Sequence, residues 1–381
     1  SFGKCALAAT GVGFAVVLMF MQIGFRNALI DNNVQLFTLF DCEHANVAMI
    51  SQARYNLSTS QRFPRFLVDQ ALAFPEVESA CCISLERVAS KVQVVGKRGR
   101  PIRVIGVQLG EGEYWRSDEL YQRLVAADAR HGALVDVRSV DAYGFAADVE
   151  LLSQQVVELN GRRLKLLGQF ELGTDFANDG TLLMSQRLHG NYFPWRSPTR
   201  IPSDVVDIAL LHVPNASAND LERIASGLER LSPQQLDVRP TQQFIDREKA
   251  FWSRATPIGK IFFIGTLMGL VVGSIICYQI QFTDISEHMP EFATLKAMGY
   301  GNGYFWSLVL CQSLYLACLG FLPGLVVSYG LYALLADVSG LLMRMTWDRI
   351  LLVWVLTLVM CLVSGGLAIR KLFSTDPASL F

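Results

Sequence analysis

Apolar and polar positions are not evenly mixed along this chain. Four stretches contain no Asp, Glu, Lys or Arg: residues 5–25, 261–283, 297–336 and 350–369. A membrane-spanning helix takes about 20 mostly apolar residues. Each stretch reaches that length, and the third exceeds it. The third divides at residues 299–303 (Gly-Tyr-Gly-Asn-Gly), a helix-breaking run, so that a span starts near Tyr304 and ends near Leu335. Pro323 within it is tolerable in lipid, where neighbouring helices take up the freed carbonyl. A buried core helix accounts for one such stretch but not for four. The first is too long for the apolar region of a signal peptide, about 7–15 residues, and no small-x-small cleavage site closely follows it, so it is expected to stay as an anchor.

The pattern predicts an α-helical membrane protein with four transmembrane helices and a mixed α+β domain inserted between the first and second. The expected segments are a first helix over residues 1–25, the inserted domain with a helical stalk over 26–258 and a second helix over 259–283. A loop over 284–303, with a short helix at 290–298, leads to a third helix over 304–336. A loop over 337–349, a fourth helix over 350–369 and a tail over 370–381 complete the chain. Four spans put both termini on one side. Charge does not say which side: Lys4, Arg370 and Lys371 mark one, while Arg26, Arg254, Lys260, Arg344 and Arg349 flank the other, and large domains cross largely regardless of charge.

Within the domain, residues 65–73 read as helix between Pro64 and Pro75. Residues 91–95 and 103–107 alternate around a turn-forming run at 96–101 and predict a hairpin. Residues 117–128 predict a helix with Ser117 as N-cap and Asp118 and Glu119 in its first turn. Asn160-Gly161 between residues 156–159 and 164–167 is a strong hairpin signal. Residues 205–213 predict one strand, and 218–231 an amphipathic helix. Residues 241–254 predict a helix running on as a rigid stalk towards the second span, with Phe244, Ile245, Phe251 and Trp252 near one side. Small α+β units fit this order better than a doubly wound sheet.

Charge and motif content then exclude several functions. Lys and Arg number 33 against 34 Asp and Glu, a net charge of −1, which offers no field for nucleic acid. The chain has no G-x-x-x-x-G-K-[ST], no H-E-x-x-H and no G-x-S-x-G, so neither nucleotide hydrolysis nor a familiar catalytic constellation is expected of it. No charged residue sits mid-span, which disfavours an ion channel or proton-coupled transporter. Asp41-Cys42-Glu43-His44 gathers metal-ligand types, but adjacent side chains rarely converge on one ion and no second cluster accompanies them. Cys5, Cys277, Cys311, Cys318 and Cys361 fall in the spans. Cys42, Cys81 and Cys82 fall in the domain, an odd number that allows at most one disulfide there.

Two features carry more information. Gly265, Gly269 and Gly273 recur every fourth residue in the second span, as do Gly320 and Gly324 in the third. Such spacing lets helix backbones approach closely, as a seam between moving helices or as ordinary tight packing. In the loop after the second span, Pro290 suits the first position of a helix and Glu291 its positive end, while Lys296 lies near the far end and Gly299 can supply a left-handed stop. Phe292, Leu295 and Met298 form its apolar stripe. A helix this short is marginal in water, so it needs the membrane interface or a protein groove to pack on.

From residue 287 to Gly299, and in the tail with Asp376-Pro377-Ala378, the sequence resembles permeases of the MacB/FtsX/LolC superfamily of ABC systems. Residues 278–300 (YQI…EFATLKAMGY), 14–27 and 244–257 look most like the DevC-type members, associated with heterocyst glycolipid export in cyanobacteria. The resemblance implies a MacB-like permease in a bacterial, cyanobacterial inner membrane, with cytoplasmic termini and an extracytoplasmic inserted domain. It implies two copies of the chain working with two copies of a separate ABC ATPase. The chain itself would bind no cofactor, ATP and Mg being held by the ATPase, and residues 290–299 would be the coupling helix docked there. A membrane-fusion protein and, indirectly, a TolC-like outer-membrane channel would complete the assembly, with no nucleic acid and with the lipid bilayer as surroundings. An FtsX-like transmitter that signals across the membrane without transport is the alternative. Family members usually carry an amphipathic segment before the first span, whereas this sequence starts at Ser1, so further N-terminal residues are expected.

Overall fold

The computed structural model describes residues 2–110, 112–175, 178–341 and 343–374; the tail motif Asp376-Pro377-Ala378 lies outside the described residues. The chain forms two compact units. One is helical, from residues 1–28, 256–336 and 343–381, and the other is α/β, from residues 29–255 and 337–342.

The chain opens with α1 (Phe2–Asn33), which runs as helix well beyond the predicted end at residue 25. The α/β unit then contains β1 (Val47–Ser51), β2 (Phe63–Pro64), α2 (Phe66–Ala71), β3 (Ser79–Glu86), β4 (Lys91–Val94), β5 (Arg100–Pro101), β6 (Arg103–Val107), α3 (Asp118–Ala129) and β7 (Gly132–Asp136). It continues with α4 (Val149–Gln154), β8 (Val157–Leu159), β9 (Arg162–Phe170), β10 (Thr181–Ser185), α5 (Gln186–Tyr192), β11 (Val205–Val206), β12 (Ile208–His212), α6 (Ala218–Glu229), β13 (Leu236–Pro240) and α7 (Thr241–Ala250). One sheet takes the order β13-β1-β12-β3-β6-β10-β7-β9-β8-β4-β5. Only the β6–β10 and β7–β9 pairs within it are parallel.

Several helix ends form as their sequences dictate. Ser117 caps α3 by accepting from Leu120 N, and Ser217 with Asp220 forms a reciprocal capping box on α6. Asn160 and Gly161, with φ of 51° and 75°, make the left-handed turn that joins β8 to β9. Other predictions are corrected. The hairpin expected between 91–95 and 103–107 closes instead on Arg100–Pro101: β4 pairs with β5 and β8, while β6 lies between β3 and β10. The chain leaves the hairpin at the fully buried Ile102. Arg103 then anchors β6 by ion-pairing with Asp175 at 2.6 Å and donating to Thr181 Oγ1.

The single strand expected over 205–213 is divided at Asp207. Its wholly buried carboxylate accepts from Leu85 N at 2.8 Å and pairs with Arg54 and Arg196. Arg196 also lies 3.5 Å from Glu86, whose other oxygen accepts from the backbone N–H groups of Arg87, Val88 and Ala89. The two-sided cover of the central strands explains their largely apolar sequences. Ala48 and Ile50 of β1 face a core with Phe37, Phe40 and Phe244, whereas Val47 and Met49 face a second core with Leu67, Ile224 and Leu228. Cys81 and Cys82 point into these opposite cores; with Cys42, which is exposed, they are free thiols.

The stalk is also corrected. After α7 the backbone makes a π-helical turn over Phe251–Ala255, and Thr256 is extended (φ −94°, ψ 151°) before the next helix begins, so the helix is not continuous into the second span. α7 is fastened within its own unit. The buried carboxylate of Glu248 accepts from Leu57 N at 3.0 Å and Trp252 Nε1 at 2.8 Å, and Phe244 meets Phe37 edge-on at 5.5 Å. Burial pushes the Glu248 carboxyl above its ordinary value against those hydrogen bonds.

The helical unit is completed by α8 (Pro257–Glu287), α9 (Met289–Ala297), α10 (Asn302–Ser339) and α11 (Trp347–Ser374). With α1, helices α8, α10 and α11 are long and apolar enough to cross a membrane. Within the α/β unit, Thr174 N donates to Gly340 O at 3.3 Å, and Gly340 takes φ of 70° there.

Removing the Asp207 carboxylate strands two buried guanidiniums. Asp207→Ala should therefore destabilise the α/β unit by about 3–5 kcal/mol, read as a lowered unfolding midpoint of the purified chain. His189 supplies a pH dependence. Burial, reinforced by the neighbouring Arg196 and Arg62, holds its imidazole well below the ordinary value, so it stays neutral. An unfolded histidine takes up a proton below about pH 6.5 while the folded one does not, so its stabilisation is full above that pH and falls as pH drops, by up to about 1.4 kcal/mol per unit. Unfolding free energies compared between about pH 7 and pH 5 should show a smaller acid loss in His189→Gln than in the native chain; equal losses would assign the acid sensitivity elsewhere.

Candidate partner-coupling site

The α9 segment is built as its residues require. Pro290 sits in the first turn beside Glu291, and Lys296 in the last. At its end Gly299 takes φ of 96°; Gly299 N donates to Lys296 O and Tyr300 N to Leu295 O, at 3.1 and 3.2 Å. This bond pair is the Schellman stop that glycine at this position permits.

Its apolar stripe is divided between two environments. Phe292 and Leu295 pack on a cluster of Ile285, Phe305, Val309, Ala368 and Ile369 from α8, α10 and α11. The Phe292 ring meets Phe305 edge-on at 5.8 Å. The surface that a helix this short needs is thus provided by the chain's own spans, rather than by the bilayer interface or a foreign groove. Met298 does not join this contact: it is 64% exposed, and Tyr300 and Tyr304 beyond it are 46% and 43% exposed. Pro290, Glu291, Lys296 and Gly299 are exposed as well. The outward surface is therefore the polar face of α9 together with the Met298–Tyr304 turn.

The repeated glycines face α1. A Cβ on Gly273 would stand 2.7 Å from Ala15 Cβ and collide with Met360 Sδ; on Gly265 it would meet the flexible Gln22 amide at 2.5 Å. On Gly269 it would make only ordinary contacts, 3.6 Å to Met19 and 3.8 Å to Leu18. In α10, a Cβ on Gly320 would strike Val12, and on Gly324 would lie 2.8 Å from Val16 and 3.0 Å from Gly13 O. The two predicted seams are two sides of one helix. Half of the α1 apolar window is buried, against 17% for α8 and 39% for α10.

Sequence reasoning missed the partners. Gly13 supplies the backbone that Gly320 and Gly324 approach, and Gly24 leaves room for Tyr332, whose hydroxyl donates to Phe20 O at 2.6 Å. The signal available, Gly11-Val-Gly13 in the first span, lacks the four-residue spacing. Buried polar groups tie the remaining spans: Ser313 Oγ donates to Gln281 Oε1 at 2.9 Å, and Gln281 Nε2 to Cys361 O at 3.2 Å.

The weighed metal segment is occupied otherwise. His44 Nδ1 lies 2.9 Å from Asp41 Oδ2, and the His44 ring stacks on His212 at 4.9 Å. The hydrogen bond to Asp41 raises the His44 imidazole above its ordinary value. Among the described residues no group of three His, Cys, Asp or Glu converges as metal ligands.

Four helices long and apolar enough to span, an α/β domain inserted after the first and a short capped helix between the second and third fit a multi-pass membrane protein. Residues 262–377 match the family described as FtsX-like permease C-terminal, a match that, with the four apolar helices and the domain inserted after the first, supports the resemblance to the MacB/FtsX/LolC superfamily and its MacB-like arrangement. The ABC transporter permease YknZ of Bacillus subtilis (strain 168) is 23% identical over 230 residues, which cover 58% of this chain and 55% of YknZ. The chain thus spans about half the length of the curated relative it matches. Among solved structures, the periplasmic region of MacB from Actinobacillus actinomycetemcomitans aligns at TM-score 0.35 and 10% identity, over 54% of this chain and 92% of that one. The extracellular domain of the YknZ transporter from Gram-positive bacteria aligns at TM-score 0.33 and 8% identity, over 51% and 99%. None of these matches singles out the DevC type.

The glycines rank themselves by the room around them. Gly320→Ala and Gly273→Ala should each lower stability by about 1–3 kcal/mol through overpacking, whereas Gly269→Ala should stay within about 0.5 kcal/mol of the native chain. Thermal unfolding in detergent distinguishes them; an equal response at all three positions would remove the assigned contacts.

Proposed function

We propose that this chain is the permease subunit of an ABC exporter, acting as two copies with two copies of a separate ATPase that binds ATP and Mg. The observation that carries this reading is α9, inside the segment that matches the FtsX-like family: a capped nine-residue helix, braced from behind by three spans, with its outer face open. Such a helix is a rigid relay. A push on its outer face passes through Phe292 and Leu295 into α8, α10 and α11. These residues carry no nucleotide motif, and in this reading the push comes from the ATPase.

In this reading the termini and α9 are cytoplasmic and the α/β unit extracytoplasmic. Closure of the ATPase pair is transmitted outward to that unit. The cargo is a glycolipid or another amphiphile, and a membrane-fusion protein and a TolC-like channel continue the route. The absence of charge in the spans supports this over a hydrophilic pathway through the bundle.

The docking surface in this reading is the polar face of α9 with Met298 and Tyr300. Aspartate at Phe292 or Leu295 would disrupt the chain's own packing and would not report on docking. Co-expression with candidate ABC ATPases and a membrane-fusion protein, followed by detergent pull-down, should recover both partners with stimulated ATP hydrolysis. Met298→Asp with Tyr300→Asp should lose the ATPase while inserting normally. Full ATPase recovery with that double variant would remove the docking surface. Recovery of the ATPase without a fusion protein would favour a transmitter resembling FtsX, and no ATPase at all would overturn the permease reading.

A further inference from the structure

We propose that the groove between α8 and α11 is a binding site for one anionic phospholipid of the bilayer, with an acyl chain along the groove and the headgroup on Arg370. The groove measures about 690 Å³ and lies wholly within the helical unit. Leu270, Ile275 and Tyr278 wall it on α8, and Val363, Leu367 and Arg370 on α11. These helices run in the same direction: Gly273 lies against Met360, and Ile285 shares a cluster with Ala368 and Ile369. The lining segments, 270–278 and 363–370, extend about 10–12 Å at 1.5 Å per residue, a reach suited to an acyl chain.

The two walls of the groove are tied to each other at its floor. Ser364 Oγ donates to Ser274 O at 2.8 Å, which holds the helices at a set distance and uses the hydroxyl that could otherwise serve a polar ligand. What remains is an apolar channel with a single charged group, and that group is at one end. Arg370 is exposed. An arginine at the end of a spanning helix lies at headgroup depth, and basic pockets between helices at that depth hold anionic lipid headgroups. Its planar fork matches a phosphate through two parallel hydrogen bonds.

A second copy of the chain is the competing occupant, because the adjoining face of α8 is apolar and exposed at Ile264, Leu267 and Met268. That occupant would cover Arg370 and would have to bring a carboxylate to it, since a buried unpaired guanidinium is strongly unfavourable. An anionic lipid brings chain and charge together. The inference needs only that α8 and α11 span a membrane, and it stands or falls separately from the exporter reading.

The test uses the full chain in nanodiscs of phosphatidylglycerol and phosphatidylcholine in equal amounts, followed by native mass spectrometry. The native chain should retain phosphatidylglycerol in preference to phosphatidylcholine. Arg370→Gln should lower phosphatidylglycerol retention about fivefold, the effect of one basic residue at an anionic surface, and leave phosphatidylcholine unchanged. Equal retention of the two lipids by the native chain, or unchanged retention by the variant, would overturn the site. Should Arg370→Gln fail to insert, p-benzoylphenylalanine at Val363 decides. A phosphatidylglycerol adduct on irradiation supports the site; an adduct to a second copy, or none, overturns it.

Discussion

In hydrocarbon, apolar side chains gain nothing by turning from lipid towards one another, so a bundle of spanning helices coheres through shape. In this protein that constraint falls on α1. Gly320 and Gly324 bring α10 onto Val12, Gly13 and Val16, while Gly273 brings α8 onto Ala15. Every contact is one that a methyl group would obstruct. Dispersion falls steeply with distance, so the glycines matter for how near they let the neighbouring backbone come. The helix that satisfies two neighbours is also the most buried of the four.

The same economy of surface explains α9. Nine residues form too few hydrogen bonds to sustain a helix in water. Phe292 and Leu295 therefore sit in a small core completed by Phe305 and Ile369, and a left-handed glycine ends the helix sharply. What is left outside is polar, with Met298 and two tyrosines at the turn. An element stabilised on one side by its own chain and open on the other is suited to receive a partner without having to fold upon it.

The α/β unit meets a different problem, since the central strands of its sheet are covered on both sides and are almost wholly apolar. Specific pairing there is set by buried charge. Asp207 interrupts the strand that local pattern predicts as continuous, and Arg103 pulls β6 away from its neighbour in sequence towards Asp175. Strands such as β1 and β10, buried on both faces, carry no alternation to betray them. That is why the amphipathic α6 and the Asn160-Gly161 turn were legible in the sequence, whereas β6 and β12 were read as strands without their pairing and β1, β3, β7 and β10 were not read at all.

What the sequence by itself determined are the properties that local chemistry decides. These are four apolar segments long enough to span, an α+β insertion after the first, capped helices and a glycine stop at residue 299. Tertiary structure decided which side of each element is spoken for. Phe292 and Leu295 face the chain's own helices, Met298 does not, the repeated glycines converge on α1, and Thr256 breaks the stalk helix. The reason is range. Caps, turns and apolar length are settled within a few residues, whereas a face is assigned only when elements hundreds of residues apart compete for it, as Gly13 and Gly320 do.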